Sequence, residues 1–509
     1  MLSDFFINKI TEQLPFAPTD EQKFCIEKLA AFCTNHTQNQ VFMLKGYAGT
    51  GKTSVVSALV RAMKELAQGV VLLAPTGRAA KVFAHYSGSE ACSIHKKIYK
   101  QKSATDFHFL LDYNKHKNTL FIVDEASMIA NNYQDGSVFG SGRLLDDLVQ
   151  YVYQGENCKM ILLGDTAQLL PVFQDFSPAL DKKILASFNL EVEELLLTEV
   201  VRQAADSGIL HNATNIRNIL EKTMYENPKI NLNFADIQSI AGAELIDSIY
   251  SSYREVGETD TIVVTRSNKR ANVFNNGIRN QVLQRESELS NGDLLMIVKN
   301  NYFWSEKYEQ LNFIANGDIA EVVRVRKHSE MYGFRFADVT LQLLDYDMEI
   351  DCKILLDSLA APTPADNDAL GKKLFEEVEK DYLHIGNKRQ RYMQMRENHY
   401  FNALQVKFSY AVTCHKAQGG QWQHVYIDHG YLTDDQLNRN FLQWLYTAFT
   451  RAQTKLFLVN FKKEFLEETL ARRYRRLDGK IKPLFYKDIQ AQNLHRFSIQ
   501  QSNRKVQIA

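Results

Sequence analysis

Eight consecutive residues, Gly46-Tyr47-Ala48-Gly49-Thr50-Gly51-Lys52-Thr53, narrow the folds open to this chain more than any other feature. They follow a short apolar run at 41–44 and precede a helix-like run at 52–67. The spacing G-x-x-x-x-G-K-[ST] between a buried strand and a helix is that of a phosphate-cradling loop. Its glycines let successive backbone N–H groups converge on phosphate oxygens, and the helix N-terminus adds positive potential. Background residue usage would produce such an octamer by chance in about one or two per cent of chains this long. The flanking strand and helix make chance rarer still. Gly46, Ala48, Gly49, Thr50 and Gly51 are therefore expected to form a cradle for the phosphates of ATP, with Lys52 against β/γ charge and the Thr53 hydroxyl on Mg2+.

The same texture continues downstream. Apolar runs at 70–73, 120–123 and 160–163 each lead into a polar or glycine-rich turn, as in an α/β fold with a parallel sheet flanked by helices. Such sheets place ligands at the C-terminal strand edge. A second α/β pattern begins near residue 195, with a strand at 261–264 and a helix-like run at 268–283. It resumes at 406–409, 425–427 and 455–459. Between its halves the texture changes. Short strands are expected at 294–298, 319–325, 334–344 and 349–355, then a strongly charged helical run at 366–397. The expected division is a first α/β domain at 1–195 with a small insertion at about 96–119, a second at 196–291 and 400–477, an inserted β module with a helical appendage at 292–399, and a basic tail at 478–509.

Two further strand ends complete the candidate chemistry. Asp124-Glu125 follows the run at 120–123; one carboxylate there can hold a metal and the next can orient or deprotonate an attacking water. Asp124 is assigned to Mg2+ and Glu125 to water. The run at 160–163 ends in Gly164-Asp165-Thr166-Ala167-Gln168-Leu169-Leu170-Pro171-Val172, where the Gln168 amide can sense a terminal phosphate.

Composition sets the remaining bounds. With 45% hydrophobic and 24% charged residues, 509 residues suit three or four globular domains. The six cysteines include no C-x-x-C pair, which argues against a disulfide framework or zinc site. No secretory leader or bilayer-length apolar run stands out, so a cytoplasmic protein is expected. Formal net charge is zero, so nucleic-acid binding has to be local. From residue 471 onward, however, ten Lys/Arg face two acids, a balance of +8; a solvated end and a phosphate-binding one both fit.

The order of these motifs resembles the superfamily 1 helicases, and within them the RecD-like and Dda-like 5′→3′ group, superfamily 1B, over about 19–459. Thr19-Asp20-Glu21-Gln22 resembles the adenine-reading element, with Gln22 on the base edge. Leu73-Ala74-Pro75-Thr76-Gly77-Arg78-Ala79-Ala80 and Ser93-Ile94-His95 resemble DNA-contacting elements. Leu197-Thr198-Glu199-Val200-Val201-Arg202-Gln203 resembles the arginine motif opening the second motor. Thr413-Cys414-His415-Lys416-Ala417-Gln418-Gly419 and Leu445-Tyr446-Thr447-Ala448-Phe449-Thr450-Arg451-Ala452 resemble the last two motifs. Gln421 stands where many members have Glu near the nucleotide sugar, and Ala417 where Ser is frequent.

This resemblance implies two RecA-like motor domains, a strand-separating pin and an SH3-like barrel. It implies an ATP- and Mg2+-dependent helicase or translocase moving 5′→3′ on single-stranded DNA and unwinding duplex or forked DNA as a monomer, with other replication, repair or recombination proteins as partners. Gly419 and Gln421 would lie at the nucleotide, and Arg202 and Arg451 would reach its γ-phosphate across the cleft. Pro75, Thr76, Gly77, Arg78, His95, Asn268, Thr413, His415 and Lys416 would line the DNA track, with Phe107 or Phe109 either stacking at the fork or buried in a small hairpin. Two alternatives stay open on the residues alone: an ATP-gated nucleic-acid-binding subunit of a repair or recombination complex, and an RNA-directed motor.

Overall fold

Six parallel strands form the sheet beneath the glycine-rich loop. In the computed structural model, which describes residues 2–35, 37–101, 109–133, 139–171, 174–200, 207–222, 226–308, 311, 313–433 and 436–467, these are β1 (Gln40–Gly46), β2 (Gly69–Ala74), β3 (Ala91–Ser93), β6 (Thr119–Val123), β7 (Lys159–Gly164) and β8 (Glu191–Leu197), with β4 (Tyr99–Gln101) and β5 (Phe109–Leu111) forming a separate hairpin. The spatial order is β3-β2-β6-β7-β1-β8. Interior strands of a parallel sheet are covered on both faces and need apolar residues throughout. Accordingly β6 and β7 are buried along their whole length. At the edge, β8 is mostly open and carries Glu191, Glu193 and Glu194, charges that discourage pairing with another chain. It ends the first sheet at Leu197, where the sequence suggested that the second α/β pattern begins.

The second sheet has five parallel strands in the order β16-β10-β17-β18-β9, with β9 (Ile237–Ile240), β10 (Thr261–Thr265), β16 (Ala411–Thr413), β17 (Trp422–Asp428) and β18 (Ala452–Val459). Between β10 and β16 the chain leaves to close a barrel of β11 (Leu294–Ile297), β12 (Ile319–Met331), β13 (Phe334–Leu343), β14 (Met348–Leu355) and β15 (Leu404–Phe408). The charged run after β14 folds as two helices, Pro364–Asp381 and Lys388–Met395, the first opened by a Thr363 capping box.

One strand assignment needs correction. Residues 406–409 were expected in the second sheet, but Val406 and Phe408 belong to β15 of the barrel, and the strand that joins β10 is Ala411–Thr413. The alternation Leu404-Gln405-Val406-Lys407-Phe408 was the available signal. Period two marks a strand with two unlike faces, and Leu404, Val406 and Phe408 are the members that enter the barrel core. That core is continuous with the second sheet: Val263, Tyr426 and Phe457 pack in the same cluster as Leu295, Val339 and Val406. The barrel therefore rides on the second motor.

Against the first motor, the barrel meets the β4–β5 hairpin. Phe109 lies 4.8 Å from Tyr302 and 5.1 Å from Phe139, ring centre to ring centre, and is 4% exposed. In this arrangement Phe109 is a core residue and its face is not free for a base. Phe107 lies outside the described residues. The loop at 131–142 is anchored on both sides of 134–138, which are also outside the description. Asn131 exchanges hydrogen bonds with Asp146, and Phe139 is buried against His95, Tyr99 and Phe109. The tail from 468 onward is outside the description as well. Among the described residues no helix is long and apolar enough to cross a membrane.

Candidate nucleotide cleft and adjoining track

The chain turns at the end of β1 with Gly49 and Gly51 both at φ +79°, a conformation that glycine adopts without steric cost, and enters the helix Lys52–Glu65. Side chains brace the turn from within. The Thr50 hydroxyl donates to the Tyr47 carbonyl (2.8 Å), and Lys52 Nζ donates to the Tyr47 carbonyl (3.0 Å) and to that of Gly46. Gln22, 1% exposed, donates its amide to the Thr50 carbonyl (3.0 Å) and accepts from the Thr19 backbone N–H (3.1 Å). It thus ties the helix Asp20–Thr34 to the loop.

At the end of β6, Asp124 accepts from the Glu125 N–H (2.8 Å), and Glu125 holds φ +51°, uncommon for a side chain of its size. Burial, and the Glu125 charge beside it, push the Asp124 carboxyl well above the usual carboxylate range, with Lys52 and Arg451 opposing. Gly49, Gly51, Lys52, Thr53, Asp124 and Glu125 line one side of a cavity of about 360 Å³; Gln168 joins them from the turn after β7. The Thr53 hydroxyl and Asp124 carboxylate are hard oxygen donors of the kind Mg2+ takes together with phosphate and water. Among the described residues there is no cluster of three His, Cys, Asp or Glu that would hold a metal by itself. The donor set fits a metal that arrives with a nucleotide.

The second motor supplies the opposite wall through Gly419, Gln421 and Arg451. Arg451 is 3% exposed, its guanidinium held by the carbonyls of Thr447 (3.0 Å) and Gly420 (3.2 Å) and by Thr450 Oγ1 (3.2 Å). From there one nitrogen reaches to 3.8 Å from the Glu125 carboxylate, across the cleft. Gly419 has φ +73°, and a Cβ there would stand 2.6 Å from Ala79 Cβ, so the two motors approach too closely at this point for a larger residue. Gln421 Oε1 accepts from Tyr86 (2.8 Å) and Gln453 (3.0 Å), a second link between the motors. Arg202, expected beside Arg451, lies outside the described residues.

A second cavity, about 290 Å³, opens next to the first. Thr76, Gly77 and Arg78 come to it from the first motor, His415 and Lys416 from the second, and the turn Asn316-Gly317-Asp318 from the barrel. Arg78 stacks 4.3 Å above the Trp422 ring. Burial, with Lys407 nearby, brings the Lys416 ammonium down to about 8, and burial also lowers His415. Pro75, Asn268 and Thr413 are half-buried at the starts of neighbouring helices and are not in this wall. His95 stands apart, 4.9 Å from the Phe139 ring, and burial pushes it down to about 4.

Sequence reasoning missed the residues that join the two motors: Tyr86, Gln418, Gln453, and above all Tyr446 and Thr447. They are ordinary side chains whose partners are distant in sequence. A cue was present for Gln418, Tyr446 and Thr447, which sit inside the two motifs already singled out for His415 and Arg451. Also missed was Tyr47, whose ring lies 4.3 Å beneath the Arg217 guanidinium of the second motor.

Known families match the two motors in order: an AAA domain over residues 19–224 and a UvrD-like helicase C-terminal domain over residues 408–459. Protein R530 of Acanthamoeba polyphaga mimivirus is 21% identical over 86% of this chain and 98% of its own length. The ATP-dependent RecD2 DNA helicase of Deinococcus radiodurans is 24% identical over 86% of this chain and 50% of its own. The ATP-dependent DNA helicase dda of Enterobacteria phage T4 is 26% identical over 50% and 55% respectively. The chain thus matches about half the length of these two helicases. A Bacteroides Pif1 helicase, solved with ADP-AlF3 and single-stranded DNA, aligns over 91% of this chain and 98% of its own with 15% identity and a TM-score of 0.45. Fold and cleft define a P-loop NTPase built from two parallel α/β motors. Within that class the chain resembles the superfamily 1B helicases.

Proposed function

We propose that the chain is an ATP-driven DNA helicase that moves 5′→3′ along single-stranded DNA and separates duplex ahead of it. One observation supports this reading most strongly: the two cavities share their walls. The segment from Thr76 onward gives Thr76, Gly77 and Arg78 to the track and Ala79 and Val82 to the nucleotide cleft, while the segment 415–421 gives His415, Lys416 and Gln418 to one and Gly419 and Gln421 to the other. A change in cleft width must then move both walls of the track.

In the cleft, backbone N–H groups of the loop and Lys52 take the phosphates, and Thr53 with Asp124 would hold Mg2+, which offsets charge on the transferred phosphoryl group. Glu125 orients and deprotonates the attacking water. Gln168 reports the terminal phosphate, and Arg451 stabilises negative charge that develops only as the bond breaks. Because Arg451 belongs to the opposite motor, hydrolysis requires closure. Each cycle then shifts the motors relative to one another along the strand. Thr76, Arg78, His415 and Lys416 supply polar and cationic contacts to the backbone.

Direction of travel and the choice of DNA draw on the likeness to RecD-like and Dda-like proteins. Duplexes with only a 5′ or only a 3′ single-stranded tail test the first, and matched DNA and RNA strands as activators of ATP turnover test the second. Unwinding from the 5′ tail is expected; preference for the 3′ tail overturns the polarity, and equal activation of ATP turnover by matched RNA overturns the choice of DNA.

A further inference from the structure

Helix Arg439–Phe449 belongs to the second motor, yet its C-terminal half holds groups of the first. The Tyr446 hydroxyl accepts from the Ala48 N–H of the P-loop at 2.8 Å and donates to Asp165 Oδ2 at 2.7 Å. Asp165 uses its other oxygen to accept from the Ala167 N–H at 2.9 Å, shaping the turn on which Gln168 sits. The next helix residue, Thr447, accepts from the Leu169 N–H at 2.8 Å, and Gln418 donates to the Leu169 carbonyl at 2.9 Å. Ala167 and Leu169 pack into the apolar core of the second motor with Trp444 and Leu445. The turn is thus fastened on both flanks of Gln168, whose Oε1 is buried with no hydrogen-bond partner among the described residues and whose side chain faces the nucleotide cavity.

Of these links, the one through Tyr446 joins the P-loop and the sensing turn through a single oxygen. Tyr446 is 1% exposed, and burial beside Asp165 keeps its phenol protonated far above the ordinary range, so it donates at any working pH. When the cleft opens, both hydrogen bonds break together and water can satisfy Ala48 and Asp165. When it closes they are excluded from water, and an unpaired buried donor or acceptor is costly. The hydroxyl therefore favours the closed arrangement selectively.

We infer that Tyr446 is a positioning residue for ATP hydrolysis, its hydroxyl locking the P-loop at Ala48 and the Asp165 turn into the one register in which Gln168 and Arg451 face the terminal phosphate together. The inference rests on the hydrolytic reading of the cleft. Nucleotide binding is the work of the first motor, whereas the hydroxyl acts at closure. Its loss should appear in kcat rather than in KM.

The test is Tyr446→Phe, which keeps the buried ring and removes one oxygen, assayed for ATP turnover at saturating single-stranded DNA. The expected result is a fall in kcat of about tenfold, equivalent to about 1.4 kcal/mol, with KM for ATP and the affinity for a fluorescent ATP analogue within about twofold of wild type, the latter also reporting that the variant is folded. Thr447→Val removes the neighbouring link without touching the P-loop and should cost clearly less. Wild-type kcat in Tyr446→Phe, an effect confined to KM, or equal losses in the two variants would overturn the positioning role. Absence of ATP turnover in the wild-type chain would refute the hydrolytic reading itself, which separates the two failures.

Discussion

The nucleotide cleft and the track cavity lie side by side on one interface, have volumes of about 360 and 290 Å³, and are built in opposite ways. The cleft is anchored by one contiguous loop, Gly46 to Thr53, whose spacing dictates its geometry; the second motor adds only a few groups. The track has no such anchor. It exists where helix Gly77–Ser87, the short helix after β16 and a barrel turn happen to meet, and each contributes side chains that would pass as ordinary surface residues elsewhere. Chemistry that needs a fixed arrangement of backbone N–H groups leaves a mark in the sequence, whereas a surface that slides along a polymer needs only charge and shape at the right separation.

If the two regions are chemically separate but mechanically joined, substitutions should separate them. Lys52→Ala should have the largest effect. It is expected to abolish DNA-stimulated ATP hydrolysis while leaving binding of single-stranded DNA within about twofold, since Lys52 is absent from the track wall. Measured turnover above about one per cent of wild type would refute the assigned phosphate site, and parallel loss of DNA binding would show that the regions are not separable. Tyr446→Phe acts on the joint between them and ranks next.

Lys416→Ala belongs to the track alone. It should weaken single-stranded DNA binding by a few-fold and reduce the slope of log affinity against log salt by roughly 0.7. The same lysine predicts a pH dependence. Its folded-state value, about 8, lies below 10.5 for a free lysine, so the fold favours the neutral amine and gains stability as pH rises from about 8 towards 10.5. A DNA phosphate favours the charged form. Binding therefore takes up a proton above pH 8, and affinity should fall between pH 7 and 9. Lys416→Arg, charged throughout, should flatten that decline; an unchanged profile would remove Lys416 from the track.

The same contrast explains how much could be read in advance. Strands β1, β2, β6 and β7 are apolar runs ending in the motif residues and were legible as such. Edge strand β8, with Glu191, Glu193 and Glu194, resembles no buried strand because one side faces solvent. Residues 406–409 were assigned to the wrong sheet because a short strand between two β regions does not announce which it joins. For Phe109 the sequence left stacking at a fork and burial in a small hairpin open, and the choice falls to Phe139, Tyr302 and Phe313, which lie 30, 193 and 204 positions away. Tyr446 and Thr447 stood in plain view inside a motif, but their value lies in Ala48, Asp165 and Leu169, nearly three hundred positions or more away.

In the proposed cycle, hydrolysis takes place only when the second motor closes on a nucleotide held by the first, with Arg451 crossing the cleft. Single-turnover hydrolysis by Arg451→Ala, measured beside its affinity for a fluorescent ATP analogue, tests this most directly. Hydrolysis should slow by about a thousandfold, the scale of an arginine that stabilises transferring phosphate, with analogue affinity within a few-fold of wild type. Hydrolysis within about threefold of wild type would contradict it.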